Sequence, residues 1–159
     1  MNILLCTNFY DFRRKAVRNM MNTALNIAKY VITKCTKDGC PISNLQLQKI
    51  LYNLQKAYLQ KGSELFSDEI QAWQWGPVVP NVYNVYCVYG SMKIVEMYSV
   101  DLNESIRKII DPIIIQKRNV NPWLLVDETH KKNGAWDRIY RNGIGNKHAI
   151  PCELIKAFG

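Results

Sequence analysis

Two histidines, His130 and His148, and five cysteines, Cys6, Cys35, Cys40, Cys87 and Cys152, are the side chains best suited to acid–base, nucleophilic or metal chemistry. His148 and Cys152 stand four apart, the spacing of two ligands on one helix face, and Cys35 with Cys40 would complete a set of four. Pro151 opposes a helix reaching back to His148, and the spacings match no standard zinc site, so no metal is expected. His130 follows Asp127-Glu128 and Thr129, and a carboxylate beside an imidazole can orient it as a base. No Gly-x-Ser-x-Gly elbow or cysteine-nucleophile signature accompanies it. The expectation for His130 is therefore structural, with one ring nitrogen bonded to anchor a loop. Gly143-Ile144-Gly145 has no Lys-Ser or Lys-Thr after it and reads as a surface loop, not a phosphate cradle. No catalytic set assembles, and neither turnover nor a cofactor is expected.

Binding is the remaining chemistry, and aromatic residues are its best carriers. Trp73, Trp75, Tyr83, Tyr86 and Tyr89 occupy a stretch with no Lys or Arg between Lys61 and Lys93. Bases stacked on such a platform would need cations nearby for their phosphates. The local absence of Lys and Arg points to packing or protein contact, with Trp73 and Tyr86 expected in the core. The chain as a whole is basic, with 21 Lys+Arg against 13 Asp+Glu and a net charge of +8. Residues 130–159 hold six basic side chains against Asp137 and Glu153. That excess permits nucleic acid or an acidic protein without choosing between them.

At 159 residues and 48% hydrophobic, the chain fits one globular domain able to fold without disulfide or metal. The apolar runs, the longest Ile109–Ile115, fall short of a bilayer span, and Met1–Cys6 is too short for a signal peptide. A cytoplasmic location with reduced thiols is expected, and no membrane contact. Residues 1–21 read as a basic extension: either a leader translated ahead of a start at Met20 or Met21, or a basic helix carrying Phe9, Phe12, Ala16 and Val17. The domain proper is expected at 22–159.

The elements that must position the aromatics are mostly helical. Leu25, Ala28, Ile32 and Cys35 repeat at helical steps, with Asn22 or Thr23 as N-cap and Asp38-Gly39 as the stop. Ser43 and Gln46 have capping-box spacing at the start of a helix whose stripe is Leu47, Ile50, Leu51, Leu54 and Tyr58. Gln48, Lys49, Gln55 and Lys56 lie off that stripe, and Gly62 closes the helix in the left-handed conformation. Glu69–Trp75 alternates as a strand, one arm of a small hairpin with Leu65-Phe66, stopped by Gly76-Pro77. Pro80 opens a helix through Tyr89 whose apolar face is Val82, Val85, Tyr86 and Tyr89. A helix over Asn103–Arg118 should kink or break near Ile110 because of Pro112. Asn121-Pro122 opens a short helix through Thr129, and Trp136–Arg141 and Pro151–Phe158 form two more. The expected class is mainly α (α+β): a compact single-domain helical bundle with a small β element near residues 65–75.

The segment from Leu47 to Gly90 resembles the phage-associated, SocA-like antitoxin family known as the Panacea domain. The matching residues are Leu47, Gln48, Lys49, Leu51 and Tyr52, then Ala72, Trp73, Gly76, Pro77 and Val78, then Val82-Tyr83, Thr129-His130 and Trp136. Ala135 departs from the family, which has proline there, and residues 1–21 have no counterpart. The resemblance implies an antitoxin that neutralises a toxin encoded nearby by binding it directly. It also implies an ATP-dependent protease as a further partner, to which the bound toxin is delivered. The candidate contact and motif residues are Trp73, Trp75, Gly76, Pro77, Val78, Tyr83, Thr129, His130 and Trp136. Gly76-Pro77-Val78-Val79-Pro80 makes a stiff turn, and a rigid, poorly charged aromatic ledge suits a protein-binding hot spot as well as a central packing joint. Three other functions compete with this one. They are a phage counter-defence protein that blocks a host immune nuclease, a hydrolase or nuclease using His130, and a DNA-binding autorepressor.

Overall fold

The computed structural model describes residues 22–159, so the expectations for the extension at 1–21, and for Cys6 within it, lie outside the described residues. Helix α1 (Ala24–Lys37) is capped by Thr23, whose hydroxyl accepts from Asn26 N–H at 3.2 Å, and Asp38 ends it. Strand β1 (Ile42–Ser43) leads into α2 (Asn44–Gln60). The capping box is formed: Gln46 N–H donates to Ser43 Oγ, and Ser43 N–H donates to Gln46 Oε1. Gly62 after α2 has φ +90, a conformation glycine adopts without penalty.

The hairpin differs from the expectation. β2 (Gln71–Trp73) pairs with β3 (Gly76–Val78), not with Leu65-Phe66; Phe66 instead bridges Asn22 beside α1. The chain therefore reverses at Gln74-Trp75, and Gly76-Pro77 begins the second arm where a stop was expected. Pro77 is tolerated because its partner Ala72 turns its carbonyl to the other neighbour, accepting from Lys147 N–H at 2.7 Å. β5 (His148–Ala149) completes the sheet in the order β3-β2-β5, while β4 (Lys93–Ile94) pairs with β1. Helix α3 (Pro80–Tyr86) passes into a 3-10 turn at Cys87–Tyr89; Val82 and Tyr86 face the core, whereas Val85 is exposed.

Helix α4 (Glu104–Arg118) runs through Pro112 as a single element, so the expected break is absent. Asn121 caps α5 (Pro122–Thr129), accepting from Trp123 N–H at 2.9 Å, and Pro122 sits at N1, where its missing donor is not needed. Helices α6 (Ala135–Tyr140) and α7 (Cys152–Phe158) close the chain. Ala135 is the first residue of α6, a position where proline and alanine both fit, which makes its departure from the family pattern structurally mild. The result is a mainly α, α+β domain wrapped around α2, which packs against α1, α3, α4, α5, α7 and β3. Among the described residues no helix is long and apolar enough to cross a membrane.

Candidate functional site

Enclosure of α2 on most of its circumference decides the fate of its polar residues, with Lys56 half-buried and Gln60 exposed at its end. Gln48, Lys49 and Gln55, which lie off the apolar stripe and were expected to point elsewhere, are buried. Each binds backbone that would otherwise be unpaired in the interior. Gln55 accepts from Leu65 and Phe66 N–H and donates to Phe66 O; Gln48 Oε1 accepts from Val79 N–H at 2.9 Å. Lys49, with 0% of its surface exposed, donates to Pro77 O at 3.0 Å. Sequence reasoning missed these roles because helical periodicity sorts residues by polarity, and no periodicity shows that a helix is surrounded. The one usable signal was the abundance of amides in place of charges, since an amide both donates and accepts.

Lys49 anchors a buried knot under the hairpin. Gly76 has φ +99, and a Cβ there would lie 2.6 Å from Thr129 Oγ1 and 2.7 Å from Lys49 Nζ. Only glycine admits both the conformation and the approach. Thr129 Oγ1 donates to Val126 O at 2.8 Å. Beside it the His130 ring stacks on Trp136 at 3.8 Å and 4°, and Trp136 stacks in turn on Tyr140 at 4.6 Å. Trp136 Nε1 donates to Trp73 O at 2.8 Å, tying α6 to β2. The hairpin, the C-terminal end of α5 and the start of α6 thus meet at one point. Among the described residues His130 is held by stacking and not by the expected hydrogen bond, and its buried Nε2 has no partner there.

Electrostatics follow from that burial. With no carboxylate to compensate, burial lowers the Lys49 pKa to about 7. Burial, and next the Lys49 charge, hold His130 below the usual imidazole value, outweighing Asp127 and Asp137. No carboxylate hydrogen-bonds to His130 among the described residues. The stack on Trp136, and not a carboxylate, thus orients the His130 ring. His148 lies in β5 and Cys152 opens α7, so this pair does not share the helix face that metal binding required.

Above the knot the same hairpin turns outward. Trp75 at its tip is 50% exposed and meets Trp123 edge-on, with ring centroids 5.4 Å apart; Trp123 is 55% and its neighbour Leu124 57% exposed. Sequence reasoning missed Trp123, whose place beside Trp75 depends on how α5 docks. Trp73 is half-buried, not a core residue as expected, and packs against Tyr83 at 4.9 Å, whereas Tyr86 is in the core. Trp73, Trp75, Tyr83 and Leu45 line a groove of about 610 Å³. The ledge is not uncharged: Lys147, far off in sequence, sits over the Trp73 ring at 5.3 Å. Of the candidate residues, Gly76, Pro77, Val78, Thr129 and Trp136 are buried, His130, Trp73 and Tyr83 are half-buried, and Trp75 is exposed.

Comparison with known proteins covers the same ground. The family described as "Antitoxin SocA-like, Panacea domain" matches residues 47–137, a span that contains both the knot and the Trp75–Trp123 pair. The antitoxin SocA of Caulobacter vibrioides (strain NA1000 / CB15N) is 29% identical over 142 residues, covering 80% of this chain and 75% of that protein. No solved structure matches.

Proposed function

Because the chain belongs to the SocA-like Panacea-domain antitoxin family, we propose that it neutralises a cognate toxin by direct binding at the Trp75–Trp123 ledge. One observation carries this reading: the family segment that buries most of its motif leaves two tryptophans side by side in solvent, beside a preformed apolar groove. Tryptophan dominates binding hot spots because it offers large area at little conformational cost, and an aromatic pair braced on a rigid hairpin loses little freedom when covered. Delivery of the captured toxin to an ATP-dependent protease belongs to the same proposal.

The test is co-expression with the product of the adjacent gene, followed by co-purification and titration. Trp75→Ala is expected to weaken the complex about 30-fold or more, the effect of losing a hot spot worth about 2 kcal/mol. Retention of full affinity by that variant would move the interface elsewhere. Lack of any complex with the adjacent product, together with capture of a host nuclease, would favour the counter-defence role. A shortened toxin lifetime in cells that contain this chain and the protease would identify delivery.

A further inference from the structure

A second cavity, of about 280 Å³, is lined by Gln46, Lys93, Arg118, Asn119 and Pro122 among others. It adjoins the aromatic groove through chain neighbours. Leu45 lines the groove and Gln46 the cavity; Ser91 lines one and Lys93 the other; Pro122 borders the cavity while Trp123 packs on Trp75.

The charges around this cavity do not balance. Lys93 Nζ donates at 2.7 Å to the neutral Gln46 Oε1 and pairs with no carboxylate among the described residues. An ammonium has three donors, so two are left over. Arg118 pairs through Nη1 with Asp38, which also takes Lys34, while Arg118 Nε is buried with no partner. Gln46 has nothing further to offer: its oxygen serves Ser43 and Lys93, and its nitrogen donates to the carbonyls of Arg118 and Val120. Lys34 and Arg118 thus share Asp38, Lys93 has no carboxylate, and among the described residues none lines either cavity.

We infer that the partner bound at the ledge is an acidic segment that seats an apolar side chain in the Trp73–Trp75 groove and an aspartate or glutamate carboxylate between Lys93 and Arg118. The inference rests on the reading that the ledge grips a protein. Charge complementarity selects the occupant, because Lys93 is exposed with donors to spare and Arg118 shares its one carboxylate with Lys34, which favours an anion over a neutral group. A nucleic-acid backbone fits less well. It needs cations repeated along its track, and the groove beyond the cavity supplies Lys147 alone.

The experiment compares the full chain with Lys93→Gln and Trp75→Ala in binding the adjacent-gene product across a range of salt concentrations. Lys93 is exposed, so its substitution leaves the fold intact. Lys93→Gln is expected to weaken binding about tenfold at low salt and to flatten the salt dependence of association. Lys93→Glu should be rescued by an acidic-to-Lys change in the partner, and a single-stranded oligonucleotide should not compete. If Trp75→Ala loses binding while Lys93→Gln matches the wild type at every salt concentration, this inference falls and the ledge reading stands. Wild-type affinity in Trp75→Ala, or no complex at all, overturns both. Competition by the oligonucleotide overturns the acidic-protein assignment.

Discussion

Trp75 and Pro77 are two residues apart on one hairpin, yet they belong to regions with opposite physics. Below the hairpin, Pro77 offers its carbonyl to a lysine sealed from water, and Gly76, Thr129, His130 and Trp136 close around that contact. Above it, Trp75 and Trp123 touch each other and leave about half of their surface in solvent. The lower region is over-determined, since each group there is held by several neighbours. The upper region is held only by what lies beneath it. A rigid recognition edge can thus be made from side chains with few contacts of their own, provided the backbone carrying them is pinned from behind. It follows that substitutions below should be read as loss of folding and substitutions above as loss of binding.

Gly76→Ala should break the division most severely. It forces a side chain into a left-handed conformation and against Lys49 and Thr129, at a cost of about 2–6 kcal/mol, measurable by urea unfolding. A loss under 1 kcal/mol would show that the knot yields.

Lys49 sharpens the comparison through pH. Its folded pKa of about 7 lies below the ordinary 10.5, so between those values the unfolded chain carries a proton that the folded chain does not. Stability should therefore rise with pH across this window and be lowest below about pH 7. Relative to Lys49→Met, the wild type should gain about 3 kcal/mol between pH 7 and pH 9.5 in chemical denaturation. Parallel profiles for the two proteins would mean that Lys49 is charged when folded.

Trp136→Phe keeps a ring against His130 but removes the donor to Trp73 O, for an expected loss of about 1–3 kcal/mol. Trp75→Ala is the smallest in this respect. It should change folding stability by no more than about 0.5 kcal/mol, as expected of a surface site, while carrying the large binding loss described above. A large drop in melting temperature for Trp75→Ala would merge the two regions into one.

Local chemistry set most of the helix boundaries: Thr23, Ser43 with Gln46, and Asn121-Pro122 each satisfy orphan N–H groups of a first turn, and their neighbours in sequence suffice for that. The family motif, too, was legible as a string of residues. Tertiary structure alone decided what each member does. Lys49 became a buried anchor because the hairpin and α5 cover α2 at that point, and the sequence pattern of one helix carries no record of what packs against its polar face. Gly76-Pro77 became a strand because the Gln74-Trp75 turn brings Gly76 opposite Trp73, a pairing that hydrophobic alternation does not encode. The ledge acquired Lys147 as a neighbour, though that residue lies well beyond the stretch without Lys or Arg that carries the aromatics. Electrostatic forces act through space, and only the folded chain sets those distances.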